Sequence, residues 1–555
     1  VYIVFLFFAF RSLNDPRLIR SILYVLGGVA FVISVNCTIE YLVRERIDPT
    51  FGFRYGRYAE IFAAILPLYF AISLRSGGRR LVLSLSVTSL MWLAVLFSTS
   101  RGSLAAMLVG MTVFSLALLA SKPGRACAKR LVLVAGWLLV LGIATQLPAL
   151  ISPNEQKSST FGRIATSPES DPGNSLGRNI RFLFLTVGLE MFSQHPMIGV
   201  GADNFGLEFN KYRAIVSARP EKRSIVERNE DAIPERAHNE YLQVVSELGI
   251  PGGLIFGAFI LGVAALTIGV LRRRGSTSGD LIVLAAVAGI VAFLVSSAYS
   301  SFSFRLAQNG VIFFFLLSLT LGNIPRRPAK ASSRPFHFGL VTAVATLALC
   351  CCLALAIFSS SKAASQYSAS RAESESDFDL AQRRFKDAIR LDGSDAGARF
   401  GYASLLLNNF GYQTAAIEYR DSINKGVGTS AAYSYLISAH SLAGEKTAAL
   451  DAAAEAVKVF PYSVFLLTRY GVLLESSGQT AESEIQFQKA QNIDARQADT
   501  WRLFITLGAR KAAEAGRSGV GIPLLADLYP QSGLYAVLAE RQIIHPEERY
   551  RFVQE

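Results

Sequence analysis

A chain of 555 residues that is 51% hydrophobic, only 17% charged and of positive mean hydropathy, +0.35, is too apolar for a soluble enzyme and reads as a polytopic membrane protein. Its net charge of +13 does not mark a nucleic-acid binder: the residues up to 358 hold 34 basic and 19 acidic side chains and those after it 21 and 23, so the excess belongs to the apolar part, where it serves orientation. Five cysteines without paired spacing and five scattered histidines, none with a second ligand three or four residues on, give no expectation of a disulfide framework, a metal or a cofactor.

In chain order, residues 1–10 (VYIVFLFFAF) read as the end of an apolar span. The chain opens on Val1 inside that run, with no Met and no basic flank, and earlier spans are expected before it. Runs long enough to cross ~30 Å of hydrocarbon as helices follow near 21–39, 58–74, 81–99, 103–121, 131–150, 251–271, 281–299, 307–323 and 339–358. With 1–10 they make about ten spans in a membrane domain over 1–358. Lysine and arginine gather in alternate connections, around Arg11, Arg17 and Arg20; Arg75, Arg79 and Arg80; Lys122 to Arg130; Arg272 to Arg274; and Arg326 to Arg334. The positive-inside rule puts those on the cytoplasmic side. The outer side then receives 40–57, the turn at Arg101, a long loop over 151–250, the turn at Arg305 and everything after 358.

Beyond the last span the pattern turns amphipathic and periodic. Ala388, Ser422, Ala456 and Ala490 fall 34 residues apart, as do Tyr402, Leu436, Tyr470 and Phe504, while Gly411, Gly444 and Gly478 fall 33 and 34 apart. That period, with small residues at one register and an aromatic or Leu at another, resembles tetratricopeptide repeats. The tail is divided into a linker over 359–374, an extramembrane α-solenoid of such repeats over 375–515 and a C-terminal segment over 516–555. The solenoid is expected to bind protein partners along its concave surface and, because repeats fold through neighbour contacts, to be separable from any chemistry in the membrane domain.

Chemistry-bearing residues concentrate on the expected outer side. Arg54 and Arg57 precede one span, Arg101 and Arg305 sit in turns, and Arg178 and Arg181 open the apolar stretch RNIRFLFLTVGLEMF. Guanidinium forks match phosphate oxygens bidentately and keep their charge in a partly dry site; snorkelling to anionic lipid head groups is the plainer use of the same residues. The run Arg236-Ala237-His238-Asn239-Glu240 leads straight into a span, with Glu247 on the same helical face as Glu240. Its imidazole is suited to take a proton from a hydroxyl. His195, in Gln194-His195-Pro196, reads instead as the head of a structural turn.

The order STSRGSLAAMLVG, then HPMIGVGADNFG in a long outer loop, then RAHNEYLQVVSELGIPGG entering a span resembles the O-antigen ligase and O-antigen polymerase superfamily over roughly 20–325. FGFRYGRYAEIFAAILPL is similar to the family's arginine-bearing stretch, of which Arg54 is the residue that carries over. The resemblance implies an all-α, GT-C-like transmembrane bundle in the bacterial cytoplasmic (inner) membrane. It implies metal-independent, inverting transfer from an undecaprenyl-diphosphate-linked glycan to a hydroxyl on a glycan, lipid or protein acceptor. Arg54, Arg101, Arg178, Arg181, Arg236 and Arg305 would hold the diphosphate, and His238, supported by Asn239 and Glu240, would serve the acceptor. Ligase and polymerase both fit, as in the synthesis of lipopolysaccharide and other surface polysaccharides. Two other readings remain: a carrier of lipid-linked or soluble polysaccharide, with arginines lining a path, and a membrane-anchored scaffold whose repeats are the working part.

Overall fold

The computed structural model describes residues 15–44, 57–98, 100–120, 122–151, 172–222, 225–226, 234, 236–273, 280–300, 303–322 and 360–507. The expected spans at 1–10 and 339–358, Arg54 and the segment after 515 lie outside them. Among the described residues the regular structure is helical throughout, without strands. The chain forms two compact units, one from 1–202 and 236–334, the other from 203–235 and 335–555.

The first unit is a bundle of α1 (Pro16–Arg44), α2 (Arg57–Arg75), α3 (Gly78–Phe97), α4 (Arg101–Ala120), α5 (Lys122–Ile151), α6 (Pro172–Gln194), α8 (Glu240–Arg273), α9 (Asp280–Ser297) and α10 (Ala307–Gly322). Six of these, α1 to α5 and α8, are long and apolar enough to cross a membrane, and α9 and α10 are shorter apolar helices. This is a multi-pass membrane protein. With no water in the hydrocarbon to satisfy peptide groups, uninterrupted apolar sequence has to close its own hydrogen bonds as helix. Helix α9 is the centre of the packing, enclosed by α2, α4 and α10. Its approach to α2 depends on Gly289, where a Cβ would stand 2.2 Å from the carbonyl oxygen of Ala64; small residues at such crossings let backbones meet. Tyr69 of α2 donates its hydroxyl to the Leu23 carbonyl of α1 at 2.7 Å. Outer helices keep apolar side chains such as Val25, Leu133, Ile255 and Leu261 exposed, as lipid contact requires.

The second unit contains α7 (Phe205–Ser217) and a succession of helices: α11 (360–373), α12 (Phe378–Leu391), α13 (Ala396–Asn408), α14 (Tyr412–Asn424), α15 (Ser430–Leu442), α16 (Lys446–Val459), α17 (Val464–Ser476) and α18 (Thr480–Leu507). From α12 onward each packs on the next in sequence. The side chains of Asp395, Thr429 and Ser463, each 34 residues after the last, accept from the backbone N–H of Ala398, Ala432 and Leu466 and so start α13, α15 and α17. Ala388, Ser422, Ala456 and Ala490 are all buried. Residues 360–373, placed in a linker by the sequence, are helical and joined to α12 by hydrogen bonds from Ser365 Oγ to the Ala388 carbonyl and Ser368 Oγ to the Arg384 carbonyl. Their Ser- and Ala-rich sequence has little apolar stripe of its own, so tertiary contact decides their state.

Gly289→Val is expected to destabilise the purified protein by ~1–3 kcal/mol, the usual cost of overpacking, while Gly28→Ala, where an added Cβ meets nothing within 4 Å, leaves it within about 0.5 kcal/mol. Thermal unfolding in detergent checks both.

Candidate active site

Helix α8 is broken at Gly249, which sits at φ 63° and ψ −159°, with Pro251 two residues on. The break is matched by the turn after α6. Ile250 N–H donates to the Pro196 carbonyl at 2.8 Å instead of continuing the helix, and Pro251 has no N–H. The carbonyls of Ser246 and Glu247, left over by this change, accept from Val200 N–H at 3.0 Å and Gly201 N–H at 2.9 Å. The two backbones meet so closely that a Cβ on Gly199 would lie 2.4 Å from the Glu247 carbonyl oxygen, and one on Gly249 would lie 2.6 Å from that of Pro196. His195 ends α6, its N–H donating to the Met191 carbonyl. This mutual fit fixes the segment 195–201 against 246–250.

The segment entering α8 is held from both sides. Asn239 Oδ1 accepts from Leu242 N–H at 3.0 Å and so caps the helix. Gln243 Oε1 accepts from Ala237 N–H at 3.2 Å, and its Nε2 donates to Glu247 Oε1 at 2.8 Å. Arg305 spans two carboxylates: Nε donates to Glu240 Oε1 at 3.2 Å and Nη2 to Glu247 Oε2 at 2.9 Å. Glu240, Gln243 and Glu247 are all buried. Half-buried Arg236 adds further positive charge at Glu240. His238, by contrast, is exposed; its backbone takes a left-handed φ of 52°, uncommon outside glycine, and its ring stacks on Phe184 of α6 with centroids 5.8 Å apart.

Other contacts bring the expected outer turns to the same end of the bundle. Tyr241 donates its hydroxyl to the Leu294 carbonyl at 2.8 Å, tying the start of α8 to the last turn of α9. A Cβ on Gly102 would stand 2.8 Å from that of Tyr299, so the start of α4 lies against the turn after α9. Asn309 Nδ2 donates to Glu60 Oε2 at 3.0 Å, joining the first turns of α10 and α2. Arg101 is exposed in the first turn of α4, behind Ser100, whose Oγ accepts from Ser103 N–H at 3.3 Å. An exposed guanidinium beside a helix N-terminus is favourable for an anion.

The structure therefore gathers the segments that carry Arg101, Arg236, His238, Asn239, Glu240 and Arg305. Arg181 is exposed on α6; Arg178 lies in the same helix, but its side chain, like Arg54, is outside the described residues. Asn239 serves the helix backbone, and Glu240 turns to Arg305. Sequence reasoning did not find Gln243, the Glu60–Asn309 pair, Tyr299 or Phe184. The spacing of Glu240, Gln243 and Glu247, three and then four residues apart at the head of an apolar helix, is the signal that marks Gln243.

Residues 86–257 match the O-antigen ligase family. No curated protein matches the chain. The matched stretch runs from α3 through Arg101, the interlocked turn at 195–201 and His238 to beyond the break at Gly249, and leaves Arg54 and Arg305 outside. It supports the O-antigen ligase superfamily and, in general terms, a glycosyltransferase-like enzyme acting on membrane glycans.

Arg305→Met removes the guanidinium that pairs with both buried carboxylates and is expected to cost ~3–5 kcal/mol. Adding Glu240→Gln and Glu247→Gln removes the uncompensated charge and is expected to recover more than half of that loss, measured by unfolding in detergent.

Proposed function

We propose that this protein transfers or polymerises a glycan from an undecaprenyl-diphosphate-linked donor onto an acceptor hydroxyl of a glycan, lipid or protein, at the outer face of the bacterial cytoplasmic membrane. The observation that carries the reading is the presentation of Arg101 and His238, both exposed, on segments that the contacts of α4, α6, α8 and α9 hold at one end of the bundle, within the O-antigen ligase match. In the reaction the bond from the anomeric carbon to the diphosphate oxygen breaks as the acceptor oxygen bonds to that carbon from the opposite face, inverting it. The diphosphate leaves with the electron pair. Arg101, with Arg54, Arg178, Arg181 and Arg236, supplies the positive charge that the leaving group needs. His238 takes the acceptor proton, and no metal enters any step. Arg305 acts from behind: with its Nε and Nη2 on Glu240 and Glu247 it fixes the first turns of α8, which His238 immediately precedes. The helix pairs after 360 are read as tetratricopeptide-like repeats on the same outer side.

His238→Ala is expected to lower turnover by roughly 10²–10⁴-fold with donor affinity kept, in proteoliposomes supplied with a lipid-diphosphate-linked glycan. Loss of donor binding with unchanged turnover of what remains bound would move the imidazole to the phosphate site. Arg101→Lys is expected to fold normally and lose most transfer, since a point charge does not reproduce the paired contacts of a guanidinium; full activity would reduce Arg101 to a lipid anchor. For sidedness, single cysteines at Ser158 and Ser476 in a cysteine-free background are expected to react with an impermeant thiol reagent in spheroplasts, and one at Ser276 is not. The reverse pattern would place the site in the cytoplasm.

A further inference from the structure

Helix α7 comes from the loop between the two halves of the membrane unit, yet its partners are the helix pairs. Asn210 donates its side-chain amide to the Gly428 carbonyl. Arg213, fully buried, donates from Nη2 to the Val459 carbonyl at 3.0 Å and lays its guanidinium 4.4 Å from the centroid of Phe460. Tyr462 donates its hydroxyl to the Ser217 carbonyl at 3.2 Å. A Cβ on Gly426 would meet Leu207 at 3.2 Å. These contacts have a pattern. Residues 426–429 and 460–463 are the same loop in two successive helix pairs, 34 residues apart and ending at the caps Thr429 and Ser463. Leu207 and Asn210 meet the first copy, and Arg213 and Ser217 the second.

A buried guanidinium is costly to desolvate, so it settles only where carbonyl oxygen and an aromatic face repay the loss of water. That makes the seat specific to this helix. The buried Phe209, Tyr212 and Val216 add apolar contact area. The segment that bears α7 leaves the membrane unit after Ala202, next to Gly201 with its hydrogen bond to Glu247, and returns at Arg236, two residues before His238. Asp203 and His238, near those two crossings, both hold a left-handed φ, 63° and 52°, so the direction of the chain is set at each.

We propose that the helix-pair unit is a positioning element for the transfer site, with α7 of its own chain as its ligand along the 426–429 and 460–463 loops and Arg213 as the positioning residue of that seat. The effect on transfer rests on the function proposed above; the seat itself does not. A positioning role runs against the sequence expectation that the array is separable from the chemistry, since the array holds α7, whose segment runs into both motifs.

The test uses the full chain in nanodiscs, with hydrogen exchange of the α7 amides and steady-state kinetics on a lipid-diphosphate-linked donor. Arg213→Ala is expected to raise exchange across 205–217 by tenfold or more and to lower turnover by about tenfold, with the donor KM within about twofold, the mark of lost orientation and not of lost binding. Tyr462→Phe removes a single hydrogen bond and is expected to raise exchange by roughly two- to tenfold, with a smaller fall in turnover. Ser394→Ala, in the corresponding loop of the preceding pair, leaves both unchanged. Unchanged exchange in Arg213→Ala overturns the seat, and raised exchange with unchanged turnover overturns the positioning role. If the wild type transfers nothing from such a donor, the functional reading falls with the positioning role, while exchange still decides the seat.

Discussion

The arrangement of the candidate site depends on a trade of backbone hydrogen bonds between two stretches about fifty residues apart. Helix α8 gives up its own bonding at Gly249, and the turn 195–201 supplies the missing donors and acceptor. A buried peptide group left without a partner costs ~1–3 kcal/mol, so neither the break nor the turn is stable without the other. Two glycines make the approach possible, one on each side. Once the turn is fixed, α6 follows, and with it Phe184, on which the ring of His238 rests. The exposed imidazole is thus oriented by a chain of contacts that begins in backbone geometry.

Behind that surface lies a second constraint, of charge. Glu240 and Glu247 bring two carboxylates into a buried setting against the guanidinium of Arg305, with Arg236 adding charge at Glu240 and Gln243 bridging to Glu247 and to the Ala237 N–H. Such clusters contribute little to stability over an apolar packing of the same volume, but breaking one partner is severe. Their use here is registry: they hold the turn after α9 and the head of α8 in one arrangement. Arg101 and His238 are left to face outward.

Much of this was legible in the sequence. The spans between 21 and 323 could be placed because long apolar runs in lipid have helix as their only answer, and the periodic caps and buried small residues after 378 follow from a 34-residue pattern visible by spacing. Arg101 and the 236–247 run stood out because charge at a span boundary is costly without a purpose. What was not legible has a common cause. The partner of Arg305, the stacking of His238 on Phe184 and the seat of α7 on the 426–429 and 460–463 loops all join residues distant in sequence, and no local period encodes them. Asn239 was legible only by type: capping a helix and supporting a histidine call for the same residue at the same place. Helix 360–373 escaped because its stability is borrowed from α12.

The short helices at the centre of the bundle bear on the membrane itself. Helices α9 and α10 hold 18 and 16 residues and rise roughly 27 and 24 Å at 1.5 Å per residue, less than a hydrocarbon core of ~30 Å. Helix α8, which packs on both, is broken at Gly249, and its first turns pair with Arg305 between them. The polar turn between α9 and α10, with Ser303 and Arg305, therefore lies level with the head of α8. A bilayer meets such a deficit by thinning, drawing head groups and water inward at modest cost. Two helices shorter than the hydrocarbon at the centre of the packing therefore favour a bilayer somewhat thinner than average around this bundle.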